Sequence, residues 1–138
     1  MRNPLKIIVV GASGKMGQTL IKQILADSDL LLTGAVDQPS SNILGMDAGS
    51  LIGIKTGIMI NDDIKSVIKK GDYLIDFTRP EASIGYLTVC IKNNVKYILG
   101  TTGFSDEEKQ KISQAAKDIS ICFAPNMSVG VNLLVSLV

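Results

Sequence analysis

A short apolar run that ends in a glycine-rich turn constrains this chain more than any other feature. The run, residues Leu5–Val10, is rich in Ile and Val, which is typical of a strand covered on both faces in a parallel sheet. Glycines follow at positions 11, 14 and 17, and from Met16 to Ala26 apolar residues recur three and four positions apart, which predicts a helix. A strand, a glycine turn and a helix in this order are typical of the first unit of an open α/β sheet.

The rest of the chain continues this alternation. Residues 42–56 are the exception, because they contain three glycines and few periodic apolar positions, and we predict them to be irregular. Since parallel strands need crossover helices, the pattern predicts an α/β fold with a doubly wound, mostly parallel, Rossmann-like sheet of about six strands. Further strands are predicted at Leu30–Val36, Ile58–Ile60, Tyr73–Phe77, Tyr97–Leu99 and Ile119–Ala124, and further helices from Asp62 or Asp63 to Lys70, from Pro80 to about Asn93, and from the capping box at Ser105 to about Lys117.

Composition excludes several kinds of chemistry. The 138 residues include no histidine, so a Ser-His-Asp triad, a Cys-His dyad and a zinc site with imidazole ligands are all excluded. Lys and Arg number 14 against 13 Asp and Glu, and no basic cluster indicates nucleic acid or an anionic membrane as a partner. Cys90 and Cys122 lie in apolar stretches, which favours buried reduced thiols over a disulfide, and two cysteines are too few for a four-sulfur metal site. We therefore predict no metal.

The glycine turn lies where this architecture holds the pyrophosphate of a dinucleotide. We expect Gly11 to allow the tight turn, Gly14 to let phosphate oxygens approach the backbone, and Gly17 to let the helix pack close to the strand. Free amides and the helix dipole at the start of the helix favour an anion there. The spacing is GxxGxxG instead of the commoner GxGxxG, so a plain strand-to-helix turn is the alternative.

Asp37 strengthens the dinucleotide interpretation. It follows the second predicted strand, twenty residues after Gly17, where a carboxylate accepts hydrogen bonds from both hydroxyls of an adenine ribose. The alternative is a solvated loop acid. Gln38 stands where an arginine is expected for a 2′-phosphate, and Asp37 would repel that phosphate, so NADH is favoured as cofactor. Lys15 offers partial compensation, and NADPH stays possible.

Three further segments follow later predicted strands, at the sheet edge that binds ligands in open α/β folds. They are Asp76–Pro80, Gly100–Gly103 and Ala124–Ser128, and we expect all three to line one crevice. Their hydroxyls, amide and backbone groups suit the positioning of a nicotinamide and its ribose, but not proton transfer at neutral pH. The second-rank candidates are Thr78, Gln38 and Arg79, of which Arg79, preceding a proline, is alternatively a surface residue.

The two ends of the chain indicate its location and its domains. Only four consecutive apolar residues precede Gly11, too few for a signal-peptide core or a membrane span, so we expect a cytoplasmic protein. Six of the eight residues of Val131–Val138 are apolar, and no cap or polar end follows them. We therefore expect a dinucleotide-binding domain at residues 1–130, and at 131–138 the start of a helix that leads to a second, substrate-binding domain absent from this chain.

Four motifs, taken in order, resemble one known family. They are GASGKMG at 11–17, DFTRP at 76–80, GTTGF at 100–104 and NMSVGVN at 126–132. Together they resemble 4-hydroxy-tetrahydrodipicolinate reductase (dihydrodipicolinate reductase) of the diaminopimelate route to lysine, and the resemblance extends from Lys6 to the last residue. It implies the cofactor domain of an NAD(P)H-dependent reductase that transfers hydride to a cyclic dicarboxylate.

The resemblance also implies roles for individual residues. The implied adenosine and pyrophosphate ligands are Gly11, Ala12, Ser13, Gly14, Lys15, Met16 and Asp37. The implied nicotinamide ligands are Gly100, Thr101, Thr102, Ala124, Pro125, Asn126 and Met127, of which Thr102 also faces the substrate. In this family, histidines and a lysine of the second domain bind the substrate and supply the proton. We therefore expect no catalytic residue in this chain, no turnover by it alone, and oligomers only in the full-length protein.

Two other functions share part of this pattern. A non-catalytic NAD(H)-binding or redox-sensing module would keep the glycine turn and Asp37, and the first domain of another nicotinamide-dependent dehydrogenase would keep both as well. Hydroxyls in Gly100–Gly103 are of more use to a substrate than to a sensor, which favours the reductase.

Overall fold

The computed structural model describes residues 3–136, which form a six-stranded sheet in the order β3-β2-β1-β4-β5-β6. Every pair of neighbouring strands is parallel, so the predicted Rossmann-like fold is confirmed. The elements are β1 (Leu5–Val10), α1 (Lys15–Ala26), β2 (Leu30–Val36), β3 (Ile60–Asn61), β4 (Tyr73–Asp76), α2 (Pro80–Asn93), β5 (Lys96–Leu99), α3 (Asp106–Ala115), β6 (Ile121–Phe123) and α4 (Met127–Ser136).

The core consists of two apolar layers, one on each face of the sheet. Ile7 and Val9 of β1 pack with the apolar face of α1, whereas Ile8 and Val10 pack with residues of β4, α2 and α3. All four β1 side chains are at most 2% exposed, because β1 lies in the middle of the sheet and is covered by helices on both faces. This burial on both sides explains why the strand reads as an uninterrupted apolar run.

The strand order reverses at β1. The chain first extends from β1 through β2 to β3, then returns to place β4 on the other side of β1 and continues to β6. The loops after β1 and β4 therefore leave the sheet in opposite directions. A crevice opens between such loops at the carboxyl ends of the strands, and open α/β sheets bind ligands there.

The helix predicted between Asp62 or Asp63 and Lys70 is wrong as a continuous helix. The segment forms two short 3-10 helices, Ile64–Ser66 and Ile68–Lys70. Asp63 caps the first by accepting a hydrogen bond from Lys65 N at 3.0 Å. Val67 interrupts the helix because its side chain packs over Gly34 of β2, where a Cβ would lie only 3.0 Å from Val67 Cβ. Packing against the sheet therefore decides the local conformation.

The segment predicted to be irregular is fastened by one carboxylate. Asp47 accepts hydrogen bonds from Gly49 N at 2.8 Å, Thr56 Oγ1 at 2.7 Å and Gly57 N at 2.8 Å. These bonds, led by the one from Gly49 N, hold the pKa of Asp47 well below its usual range. A single 3-10 turn, Ser50–Ile52, interrupts the loop, and the strand that follows begins at Ile60, two residues later than predicted.

Two further observations concern the described part of the chain. Cys90 is a buried free thiol and Cys122 a half-buried one, and burial raises the pKa of Cys90 to about 12. Within residues 3–136, no helix has both the length and the apolar character needed to cross a membrane.

Candidate functional site

The glycine turn connects β1 to α1 and is tied to the end of β2. Gly11 has a φ of +78°, a conformation that glycine adopts without strain. The amides of Gly11 and Ala12 both donate to Val36 O, at 2.8 and 3.1 Å. A Cβ at Gly17 would lie 2.1 Å from Gly11 O, so only glycine lets α1 approach the turn this closely. Gly11 and Gly17 thus have the steric roles that the spacing predicts.

Gly14 differs from the other two glycines because the protein itself does not require it. Its backbone angles, φ −70° and ψ 162°, suit any residue, and an added Cβ would meet only Gly11 O at an ordinary 3.5 Å. Gln18 N donates to Gly14 O at 2.9 Å as the first bond of α1. The amides of residues 15–17 therefore have no acceptor inside the helix. The missing Cβ therefore keeps the positive end of α1 open to an anion.

Asp37 immediately follows β2 and presents an unsatisfied carboxylate oxygen. Its backbone amide donates to Asn61 O at 2.9 Å, and the residue is only 6% exposed. Its Oδ2 is buried and has no hydrogen-bond partner among the described residues. A buried acceptor without a donor is costly, so this oxygen fits a site that a ligand hydroxyl completes. The dinucleotide's ribose offers such hydroxyls.

Gly14 and Asp37 lie in one cleft of about 420 Å³ at the carboxyl ends of β1, β2 and β4. It brings together seven of the predicted residues, including all three of second rank. Four more residues line the cleft: Phe77 belongs to a segment that was expected to line it, and three that were not predicted come from the first two turns of α2. The cleft is lined by Gly11, Ser13, Gly14, Asp37, Gln38, Phe77, Thr78, Arg79, Glu81, Ala82 and Tyr86.

The remaining residues of the glycine turn lie around this cleft without lining it. Ala12 is completely buried beneath the turn, so only its backbone is available to a ligand. Lys15 is exposed and Met16 is half-buried at the start of α1. Lys15 is therefore the cation of the turn that faces solvent.

The predicted nicotinamide segments lie farther along the same edge, outside the residues that line the cleft. Gly100 N donates to Asp76 O at 2.7 Å, and Ala124 N donates to Leu99 O at 2.9 Å, so both loops continue the ladder of the sheet. Thr102, Pro125 and Asn126 are exposed, Thr101 and Ala124 are buried, and Met127 begins α4. Asn126 Oδ1 accepts from Val129 N at 3.0 Å, which gives this residue a capping role on α4.

Phe77 joins these loops to the cleft. A Cβ at Gly100 would lie 2.0 Å from Phe77 Cε1, and one at Gly130 would lie 3.5 Å from Phe77 Cζ. The ring therefore occupies the space next to Gly100 and approaches α4, while it also lines the cleft. Of the three segments predicted to line one crevice, only Asp76–Pro80 contributes to the lining of this cleft.

Asp76 is a buried residue to which the sequence analysis gave no role. It is completely inaccessible to solvent, and its Oδ1 accepts from Thr78 N at 2.8 Å, Thr78 Oγ1 at 2.6 Å and Thr101 Oγ1 at 3.3 Å. The Tyr97 hydroxyl donates to Oδ2. The one signal in the sequence is a carboxylate that ends an otherwise apolar strand. Asp76 thus fixes two residues, Thr78 and Thr101, that were predicted to contact the cofactor.

Two tyrosines near the site remain protonated at neutral pH. Burial, with the nearby charge of Asp76, raises the pKa of Tyr97 well above its usual value. Burial and the charges of Asp76 and Asp37 raise the pKa of Tyr86, which lines the cleft. Neither phenol therefore serves as a base, and the Tyr97 hydroxyl donates to Asp76.

A parallel sheet that reverses at β1, with a glycine turn and an open cleft at the reversal, defines a dinucleotide-binding domain. The family model described as dihydrodipicolinate reductase, N-terminus, matches residues 5–127. The chain belongs to this family, in which it forms the N-terminal domain that binds a nicotinamide dinucleotide.

Relatives from two genera support the assignment. The chain is 48% identical over 133 residues to 4-hydroxy-tetrahydrodipicolinate reductase of Burkholderia ambifaria MC40-6, covering 96% of this chain and 50% of the relative. It is 50% identical over 130 residues to the enzyme of the same name from Nitrosomonas eutropha, covering 94% of this chain and 48% of the relative. The chain thus spans about half the length of these curated relatives.

Solved structures agree on the fold. Dipicolinate-bound dihydrodipicolinate reductase from Paenisporosarcina sp. TG-14 superimposes with a TM-score of 0.72 at 25% identity, over 89% of this chain and 48% of that one. Amine dehydrogenase from Mycobacterium smegmatis gives 0.70 at 20% identity, over 86% and 38%, and its likeness concerns the fold alone.

Proposed function

We propose that this chain holds a nicotinamide dinucleotide in the cleft between the glycine turn and α2, as the cofactor domain of a reductase. The observation that carries the proposal is the buried, unpartnered Oδ2 of Asp37 in the same cleft as Gly14. Asp37 Oδ2 lacks a hydrogen-bond donor among the described residues, and Gly14 leaves space beside the free amides at the start of α1. Together they match the two polar features of a dinucleotide's adenosine half, ribose hydroxyls and pyrophosphate.

The glycine turn, residues Gly11–Met16, is proposed to bind the pyrophosphate. The free amides at the start of α1 donate to its oxygens, and the helix dipole adds about 0.3–1 kcal/mol for a nearby anion. Ser13 is exposed in the cleft lining and Lys15 is exposed beside it, so a hydroxyl and a cation supplement the backbone. This local arrangement suits a chain whose net charge is only +1.

Asp37 is proposed to accept hydrogen bonds from the adenine ribose and to favour NADH over NADPH. A 2′-phosphate on that ribose would stand against the carboxylate, and Gln38 at the exposed end of the cleft provides no charge to offset it. Two cations, Arg79 in the cleft lining and Lys15 in the glycine turn, offset part of this repulsion. Binding of NADPH is therefore weakened and not abolished. Thr78, Gln38 and Arg79 are assigned to this half because they line the same cleft.

The nicotinamide half is assigned to the loops after β5 and β6. These are Gly100, Thr101 and Thr102, with Ala124, Pro125, Asn126 and Met127. When bound, the cofactor supplies a hydride to the substrate. The hydroxyls and backbone groups of the loops orient it, and the exposed Thr102 faces the substrate. No residue of the chain is assigned a catalytic proton transfer.

The parent enzyme is proposed to reduce 4-hydroxy-tetrahydrodipicolinate, the compound in the names of the relatives, on the diaminopimelate route to lysine in the cytoplasm. Residues 1–130 are proposed to be the cofactor domain, and the cyclic dicarboxylate and the proton donor are proposed to belong to another domain of the parent enzyme. The helix expected to start at 131 is part of α4, which begins at Met127 and is described to Ser136, and residues 137 and 138 lie outside the described residues. The chain alone is expected to bind cofactor without turnover, and oligomers are expected of the full-length protein.

Titration of NADH fluorescence tests this proposal. We expect saturable binding by the wild-type chain and a loss of at least about tenfold in affinity for Asp37→Ala, since hydrogen bonds to a charged group contribute about 1.5–3 kcal/mol. Asp29→Ala is the matched control, because Asp29 is an exposed aspartate just before β2, at the opposite end of the same strand. No binding by the wild type up to millimolar NADH, or an unchanged titration for Asp37→Ala, contradicts the proposal.

A further inference from the structure

Asp76 is satisfied entirely by neutral donors of the protein. One amide and three hydroxyls, from Thr78, Thr101 and Tyr97, donate to its two oxygens. Among residues 3–136, no Lys or Arg forms an ion pair with it. The donors come from two loops and a strand, so the carboxylate connects separate segments of the sheet edge.

Ser83 extends the connection to α2. Its hydroxyl donates to Thr101 Oγ1 at 2.8 Å, and its backbone oxygen lies 3.1 Å from the Tyr97 hydroxyl. Thr101 therefore has its hydroxyl hydrogen directed at Asp76 and its lone pair occupied by Ser83. Thr101 is only 8% exposed, and the next residue, Thr102, is exposed. The first threonine is thus fixed in the interior while the second emerges from it.

A core that needed only packing would not contain this carboxylate. Removing an anion from water is costly unless several donors compensate for it, and an apolar residue of similar size fills such a position more cheaply. Here the compensating bonds reach the loops after β4 and β5 instead of remaining within the strands. The arrangement therefore specifies loop conformation at the edge where the nicotinamide is proposed to bind.

We propose that Asp76, Tyr97 and Ser83 are positioning residues that hold the Gly100–Gly103 loop, through Thr101, in the conformation that receives the nicotinamide half of the cofactor. The inference rests on the proposed function, and it separates the two halves of the cofactor. The adenosine half depends on Asp37 and the glycine turn, which make none of these bonds. Thr78 of the cleft is also bonded to Asp76, but through Oδ1, whereas the Tyr97 hydroxyl bonds Oδ2 and Ser83 bonds Thr101. Loss of the Tyr97 or Ser83 hydroxyl is therefore expected to weaken binding of the nicotinamide half more than that of the adenosine half.

Tyr97→Phe is the primary test, with NADH and ADP-ribose as the two probes, because ADP-ribose lacks the nicotinamide. We expect the NADH dissociation constant to rise about three- to tenfold, the effect of one lost hydrogen bond, while that of ADP-ribose stays within about twofold. Ser83→Ala is a milder second variant with the same expected pattern. Tyr73→Phe and Thr88→Ala are the matched controls, since Tyr73 is a buried tyrosine of β4 and Thr88 a hydroxyl of α2, and neither belongs to the network.

Amide hydrogen exchange of the free protein gives a second, ligand-independent measurement. Tyr97→Phe should accelerate exchange at residues 101–103 and leave residues 12–17 unchanged. Equal losses for NADH and ADP-ribose, unchanged NADH affinity in both variants, or unchanged exchange at 101–103 overturns the inference. A wild-type chain that binds neither probe contradicts the proposed function instead, and the exchange data still decide whether Asp76 and Tyr97 position the loop.

Discussion

Two aspartates lie at the carboxyl ends of the strands on either side of β1, and their carboxylates differ in hydrogen bonding. Asp37 follows β2, and its buried Oδ2 has no hydrogen-bond partner in the described part of the chain. Asp76 ends β4 and accepts from an amide and three hydroxyls. Both are nearly or completely buried, at 6% and 0% exposure, so exposure alone does not separate them. Their hydrogen bonds do.

This difference in hydrogen bonding indicates that one carboxylate serves the fold and the other is available to a ligand. A buried carboxylate that the protein satisfies stabilises the protein, whereas one that it leaves unsatisfied is a cost that a ligand can remove. The side of the edge proposed for adenosine thus has open groups, namely free amides, a glycine that the fold does not require and a carboxylate oxygen without a partner among residues 3–136. The side proposed for the nicotinamide has instead a network of hydrogen bonds that the protein completes by itself.

Gly17→Ala is expected to have the largest effect, because it disturbs the glycine turn itself. The new Cβ would lie 2.1 Å from Gly11 O and 3.1 Å from Ala12 Cα, and backbone cannot move aside as a side chain does. We expect a loss of at least about 3 kcal/mol in the free energy of unfolding, above the usual overpacking range. Urea denaturation measures it.

Gly85→Ala is the control for that change. Gly85 lies in α2, and nothing lies within 4 Å of its added Cβ. Alanine should therefore stabilise the helix by about 0.5–1 kcal/mol. If Gly17→Ala and Gly85→Ala lost equal amounts of stability, the close approach of α1 to the turn would not explain the destabilisation of Gly17→Ala.

Replacing each aspartate by alanine tests the comparison directly. Asp76→Ala leaves the hydroxyls of Tyr97, Thr78 and Thr101 without their acceptor, so we expect a loss of about 2–4 kcal/mol. Asp37→Ala removes an acceptor that has no partner at Oδ2, so the change in unfolding free energy should stay below about 1 kcal/mol. Equal losses in urea denaturation would show that the two carboxylates do not differ as their contacts indicate.

The glycine turn and Asp37 were predictable from the sequence, whereas the hydrogen-bond network around Asp76 was not. The bounds predicted for β1 and β2 agree with the structure, because strands buried on both faces read as apolar runs and their ends are marked by Gly11 and Asp37. The steric roles of Gly11 and Gly17 follow from local spacing. The glycine turn and Asp37 are local features of β1, α1 and the end of β2, whereas the lining from Phe77 to Tyr86 comes from a later part of the chain.

The network around Asp76 depends on pairings that spacing does not reveal. Tyr97 and Thr101 lie 21 and 25 positions from Asp76, and they meet it only because β5 pairs in parallel with β4 in a register that sets Asp76 opposite Leu99. Tyr97 then lies on the same face, two residues before Leu99, and its long side chain reaches Asp76. The sequence shows only a tyrosine in a strand, and the same limit explains the wrong helix before Lys70, where Val67 packs on Gly34.

Gly14→Ala sharpens the distinction between groups kept for the fold and groups kept for a ligand. The added Cβ makes only an ordinary contact, 3.5 Å from Gly11 O, so the free energy of unfolding should change by no more than about 1 kcal/mol. We expect NADH affinity to fall about tenfold, equivalent to about 1.4 kcal/mol, because the Cβ enters the space proposed for pyrophosphate. Unchanged affinity together with unchanged stability would remove the glycine turn from the site.

A third aspartate, Asp47, is expected to have the smallest effect on stability, and that effect depends on pH. The protein satisfies it through Gly49 N, Thr56 and Gly57 N, on a loop whose residues do not line the cleft. Its pKa is lowered in the folded chain, so the folded state favours the ionised carboxylate.

The contribution of Asp47 to stability is therefore complete above the unfolded pKa of about 3.9 and is lost as the pH falls below it. Between about pH 5 and 3, the melting temperature of the wild type should fall more steeply than that of Asp47→Asn, which carries no titrating group there. Parallel curves would mean that these bonds do not depend on the charge, because protonation would then cost the loop nothing.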